Sequence, residues 1–212
     1  MKKFILPLLV LLLVGSLFAV ESAPSEVVGY VKYECVTGLN LVALPMVQGY
    51  TYASDIATAY PGMFDAISYW DADNQVWAAA VDLGGFWDPD FEVIPGNGLW
   101  INALTPFSFY SIGDMPAVNA SYNLVNGLNM IMIPLNRGDL ALAGDLGMEM
   151  GNIDAISYWD NASQVWAAAV DLGGFWDPDF ATSIGMPLWV NAFTPGTWPS
   201  RNAPNVLKKA NK

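Results

Sequence analysis

The sequence predicts a mainly β protein built from two tandem homologous units of about 89 residues, each with one short helix. Three observations carry this. Residues 65–91 and 154–180 match at 24 of 27 positions, and the three differences sit together at Ala72-Asp73-Asn74 against Asn161-Ala162-Ser163. The same offset of 89 pairs Tyr33 with Tyr122, Gly38-Leu39-Asn40 with Gly127-Leu128-Asn129, Pro45 with Pro134 and Trp100 with Trp189. Within each unit the apolar runs are short and bounded by Gly, Pro, Asn and Asp, the punctuation of strands rather than of long helices.

Residues 1–19 read as a signal peptide, with basic Lys2 and Lys3, an apolar run from Phe4 to Phe18 and a cleavage site at Ala19. The run is short for a membrane span and no stop-transfer pattern follows, so no span is expected after its removal. A leader covers 20–26, the first repeat 27–115, the second 116–204 and a basic tail 205–212. No long linker separates the repeats, so they are expected to pack on each other.

In repeat order, Leu39-Asn40-Leu41-Val42-Ala43-Leu44 is apolar on both faces and reads as a buried central strand stopped by Pro45. Its counterpart, Leu128–Ile133, stays apolar although nearly every side chain changes, as core positions do. Ser54–Tyr60 reads as a helix capped by Ser54 and stopped by Pro61-Gly62. The matching segment near Ala143-Gly144-Asp145-Leu146 is shifted by one residue, and the shift is cancelled before Gly151. Asp65–Trp70 and Gln75–Ala80 form a hairpin with an exposed turn at Asp71–Asn74, repeated in the second copy with Asp160–Ser163 as its tip. Strands at Leu99–Ala103 and Phe107–Ile112 bring the expectation to about six per unit.

Gly38-Leu39-Asn40-Leu41-Val42-Ala43-Leu44-Pro45, followed by Tyr69-Trp70-Asp71, Gln75-Val76-Trp77 and Gly96-Asn97-Gly98-Leu99-Trp100-Ile101, resembles a tandem repeat of secreted bacterial proteins. In that repeat a G-W-N-L-I-S-L-P strand precedes a W-D hairpin and a G-x-G-Y-W-I strand. Here Leu39 stands in place of the Trp, and Gly185-Met186-Pro187 in place of the second G-x-G. The resemblance implies a cell-surface or extracellular protein of a Gram-negative type bacterium. It implies no established activity.

Composition narrows the chemistry. Without Lys2 and Lys3, six basic residues face twenty acidic ones, a net charge of −14 that disfavours nucleic acid. The chain has no histidine and one cysteine, Cys35, which removes the commonest general base and any intramolecular disulfide. The expectation is a non-enzymatic protein without a cofactor. Three candidate sites remain. Asp88-Pro89-Asp90, repeated as Asp177-Pro178-Asp179 beside Trp87 and Trp176, places paired acids next to aromatic rings, an arrangement suited to binding sugars. The alternative at those positions is a polar turn. Asp71, Asp73 and Asn74 have partial calcium-loop spacing, lost in the second copy. Low charge, 54% hydrophobic residues and a duplicated unit favour self-association or contact with other cell-surface components. A glycan-binding module using the repeated Trp residues is the alternative function.

Overall fold

The computed structural model describes residues 28–199. The expected signal peptide, leader and basic tail lie outside the described residues. The first copy contains β1 (Val28–Cys35), β2 (Gly38–Ala43), α1 (Ala53–Ala59), β3 (Phe64–Asp71), β4 (Val76–Asp82), β5 (Trp87–Asp88), β6 (Gly98–Ala103) and β7 (Phe107–Asp114). The second contains β8 (Tyr122–Leu124), β9 (Gly127–Met132), α2 (Ala143–Met150), β10 (Ile153–Asp160), β11 (Val165–Asp171), β12 (Trp176–Asp177), β13 (Pro187–Ala192) and β14 (Gly196–Trp198). The fold is thus mainly β with two like units. Each unit has seven strands against about six expected; the two-residue β5 and β12 are too short to leave a pattern, and β1 and β8 stand outside the segments read as strands.

Each copy forms an antiparallel five-stranded sheet, in the order β2-β6-β3-β4-β5 and β9-β13-β10-β11-β12. A two-stranded ribbon, β1-β7 or β8-β14, accompanies each sheet. The hairpins keep one register: Trp70 pairs with Trp77 and Ala66 with Val81, as Trp159 pairs with Trp166 and Ala155 with Val170. Gln75 and Gln164 are not in the strands but close the turns, at φ 54° and 56°.

The helices confirm the one-residue shift. α2 starts 90 residues after α1, and Gly151, at φ 67°, ends it and restores the offset. The expected Ser54 cap is a correction: Tyr52 precedes the helix, and Ser54 lies inside its first turn. The free amides at the entrance are instead met by Asp55, whose carboxylate accepts from the Thr51 and Tyr52 N–H groups at 2.7 and 2.9 Å. Asp145 does the same for Ala141 and Leu142 in the second copy. A carboxylate in the first turn also suits the helix dipole.

Each sheet packs its helix over a separate apolar core. Val42, Ile56, Ile67, Leu99, Ile101 and Phe109 form one; Ile131, Leu146, Ile156, Leu188, Val190 and Trp198 form the other. Cys35 is buried in the first and unpaired, with its thiol pushed up to about 12 by burial, and Leu124 fills the same place in the second. The cysteine is therefore a small core residue.

One strand assignment is corrected. The apolar segment around β2 is not central; β2 and β9 are sheet edges. They carry a central-strand pattern because the other copy covers them. Trp70 Nε1 and Gln75 Nε2 both donate to the Leu128 carbonyl at 2.8 Å, and the Leu128 N–H donates to Gln75 Oε1 at 2.9 Å. Reciprocally, Trp159 Nε1 and Gln164 Nε2 donate to the Leu39 carbonyl at 2.9 and 2.6 Å. Gly38 and Gly127, at φ 106° and 105°, admit these glutamines: an added Cβ would lie 2.9 Å from Gln164 Oε1 and 2.5 Å from Gln75 Oε1. The opposite edges, β5 and β12, are only two residues long, which limits strand addition there.

The second copy has a buried arginine paired with two partly exposed carboxylates, with no counterpart among the described residues of the first. Arg137, 1% exposed, forks between Asp139 and Glu149, and Trp198 Nε1 donates to Glu149 at 3.0 Å. Gln48 stands at the matching position in copy one. Arg137 holds both carboxyls below their usual range. Their pairing therefore stabilises the fold above the unfolded carboxylate values and is lost as pH falls through the lowered native values. The melting temperature is expected to drop on acidification below about pH 4.5, and Glu149→Gln to flatten that drop. Calorimetry across pH 3–6 checks this.

Candidate functional site

The copies meet at a cluster of six tryptophans. Strands β3 and β4 carry Trp70 and Trp77; β10 and β11 carry Trp159 and Trp166; the sheet-interior strands β6 and β13 carry Trp100 and Trp189. Cross-strand pairing places Trp70 against Trp77 and Trp159 against Trp166, with ring centres 5.2 and 5.4 Å apart. Each hairpin then packs on the other copy: Trp70 and Trp77 lie 5.2 and 5.4 Å from Trp189, and Trp159 and Trp166 lie 5.4 and 5.7 Å from Trp100. All these contacts are edge-to-face, the favoured geometry for rings with a negative face and positive edge. Trp100 and Trp189 are buried, and their Nε1–H groups have no acceptor among the described residues.

A second reciprocal pair fastens the copies. The Tyr33 hydroxyl donates to the Gly185 carbonyl at 2.7 Å, and the Tyr122 hydroxyl to the Gly96 carbonyl at 2.6 Å. Burial pushes both phenols well above their ordinary range. Each tyrosine crosses to the turn before the other copy's inner strand. The sequence aligned Tyr33 with Tyr122 but held no sign that either reached across.

Along these seams lie two clefts. One, of about 510 Å³, lies between the first hairpin tip and β8–β9, with Trp70, Ala72, Asp73, Tyr122 and Met130 on its wall. Its counterpart, about 330 Å³, lies between the second tip and β1–β2. The hairpin tip is therefore not the free turn the sequence indicated. Asp73, Asn74, Ala162 and Ser163 are exposed, but Asp71, Ala72, Asp160 and Asn161 are half-buried. Asn161 binds Leu41 across the seam.

The positions singled out in the sequence lie elsewhere. Trp176 is 5% exposed within the second core, and Trp87 is half-buried with its ring centre 5.7 Å from Phe64. Trp176 offers no open stacking face, while Trp87 lines a cleft of about 260 Å³ with Ser54, Pro61 and Asp82. Asp90 accepts from the Ser54 N–H at 3.0 Å and the Ser54 hydroxyl at 2.6 Å; Asp179 accepts from the Gly144 N–H at 2.7 Å. Both tie the loop to the first turn of a helix. Asp88 and Asp177 are exposed on β5 and β12. Asp71 accepts from the Asn74 N–H at 3.1 Å and its side-chain amide at 2.7 Å, which lowers the carboxyl's pKa. Asp160 closes the second turn likewise, through Ser163 and Ala162. Asp71 and Asn74 thus serve the turn itself, and Asp73 is exposed beside them. Among the described residues no group of three or more acidic or cysteine side chains is placed to hold a metal.

Two stability outcomes follow from this geometry. Trp189→Ala is expected to cost about 3–5 kcal/mol, Trp77→Ala less because its ring is half exposed, and Asp73→Ala no more than about 0.5 kcal/mol. Asp90→Ala is expected to cost about 1 kcal/mol, the loss of a helix-entrance acceptor. Urea unfolding of the four variants checks the order. No family model, curated protein or solved structure matches this chain.

Proposed function

We propose that the chain is an exported, non-enzymatic protein of the cell surface or extracellular space, acting as a subunit of a larger assembly. The observation that carries this reading is an apolar loop displayed twice. Leu83 and Phe86 are 63% and 65% exposed, and so are Leu172 and Phe175. The turn is held in shape: the Leu83 N–H donates to the Phe86 carbonyl at 2.7 Å, and the Leu172 N–H to the Phe175 carbonyl at the same distance. Gly84 and Gly85 supply φ 88° and 94°, which other residues rarely adopt. Val81 and Val170, two residues before each loop, are exposed as well.

These side chains serve neither core nor seam, yet they are identical in the two copies. Large apolar groups held in water by a shaped turn are suited to burial against a partner. Two like patches make the chain bivalent, and contacts between bivalent subunits propagate into fibres or layers when the geometry does not close. In the second hairpin, by contrast, the tip residue Asn161 is bonded to Leu41 within the chain. The absence of histidine and the structural use of Asp90 and Asp179 support a non-enzymatic role.

Sedimentation velocity and electron microscopy of the mature chain test this. Concentration-dependent assembly is expected, lost in the Phe86→Ser, Phe175→Ser double variant with an unchanged melting temperature. A wild-type chain that stays monomeric at high concentration overturns the reading.

A further inference from the structure

The two seams differ in whether the hairpin tip reaches the edge strand. Where the second hairpin meets β2, Asn161 presents its carboxamide to Leu41: Oδ1 accepts from the Leu41 N–H at 2.8 Å, and Nδ2 donates to the Leu41 carbonyl at 3.2 Å. At the other seam the matching residue is Ala72. The counterpart of Leu41 is Met130, which pairs with Trp189 as Leu41 pairs with Trp100.

Alternate residues of an antiparallel edge strand turn both N–H and C=O away from their neighbour strand. Leu128 and Met132 do so here. Leu128 meets Gln75 and Trp70, and the Met132 N–H donates to the Tyr122 hydroxyl at 3.1 Å. Met130, between them, faces the same edge, and none of the described residues bonds its outward N–H or C=O. Met130 lines the cleft of about 510 Å³.

We propose that this cleft binds the side-chain carboxamide of an asparagine carried by a basic partner polypeptide. Asn161 in the sister seam is the internal version of that ligand. A primary carboxamide carries one N–H on the same side as its C=O, so a single group satisfies both the N–H and the C=O of one strand residue. A trans secondary amide points its N–H away from its C=O and meets only one of them. The acetamido group of an N-acetylated sugar therefore cannot make the paired contact. Asp71 and Asp73 line the same cleft and favour positive charge on the residues flanking the asparagine. The volume lies in the span of about 300–1,000 Å³ usual for binding pockets, leaving room for more than the carboxamide.

The test is an NMR titration of the labelled mature chain with two isomers, propionamide and N-methylacetamide, followed by capped Lys-Asn-Lys and Lys-Asp-Lys peptides ending in an N-methylamide. Propionamide is expected to shift the Met130 amide resonance saturably and its isomer not to. The asparagine peptide is expected to bind at least about tenfold more tightly than the aspartate peptide, the effect of about 1.4 kcal/mol. Ala72→Asn should abolish both responses; the sister hairpin already carries that side chain, so the variant is compatible with the turn. Equal responses to the two isomers, no saturable response, or an unchanged response in Ala72→Asn overturn the proposal. A Met130 amide that responds only after Asn202, Asn205 and Asn211 are changed to aspartate makes the occupant part of this chain and overturns the assignment to a partner.

Discussion

The structure depends on one exchange: each copy lays its hairpin against the edge of the other copy's sheet. An edge strand carries a row of unpaired N–H and C=O groups, costly if buried and hazardous if open. Trp70 and Gln75 satisfy Leu128, and Trp159 and Gln164 satisfy Leu39. Only with those groups satisfied are Leu41, Val42, Ile131 and Met132 buried on strands that would otherwise face water. The six-tryptophan cluster stands directly over this contact, so polar satisfaction and apolar burial occur at the same place.

The exchange explains part of the near-identity of residues 65–91 and 154–180. A reciprocal contact asks the same of both hairpins: an indole N–H, a glutamine held at positive φ, and a turn length that keeps Trp70 over Trp77 and Trp159 over Trp166. Core positions ask only for volume, which is why β2 and β9 differ in side chain while remaining apolar. The exchange says nothing about Leu83, Phe86 and their counterparts, which are equally alike and lie in solvent. That remainder is what the assembly reading addresses.

The symmetry is imperfect in informative places. Arg137, Asp139 and Glu149 bind the second helix to the last strand through Trp198, while the first copy builds the same region around Tyr60, Phe107 and Phe109. An ion network around a buried arginine and an aromatic stack hold equivalent positions by different physics, one sensitive to acid and one not. Asn161 against Ala72 is the other departure. It turns two equivalent seams into one clasped and one open.

The duplication, the β class, the place of the hairpin and the helix with its one-residue shift are all legible in the sequence. Each is written in local signals: an offset of 89, short apolar runs, turn residues at fixed spacing. It also marked Asn40 and Asn129 as repeated, and both close the turn ahead of their strands through the Val36 and Val125 backbones. The Asp88-Pro89-Asp90 and Asp71–Asn74 motifs were visible as acids near aromatics, but their partners, Ser54 and Asn74, belong to a helix entrance and a turn. That β2 is an edge, that Trp176 lies in the core and that the second hairpin tip touches the other copy follow from packing between distant segments. An apolar run reports that a strand is buried but not what buries it. The covering groups lie 58 and 120 residues away for Trp70 on Leu128 and Trp159 on Leu39, and no local pattern records a contact across that distance.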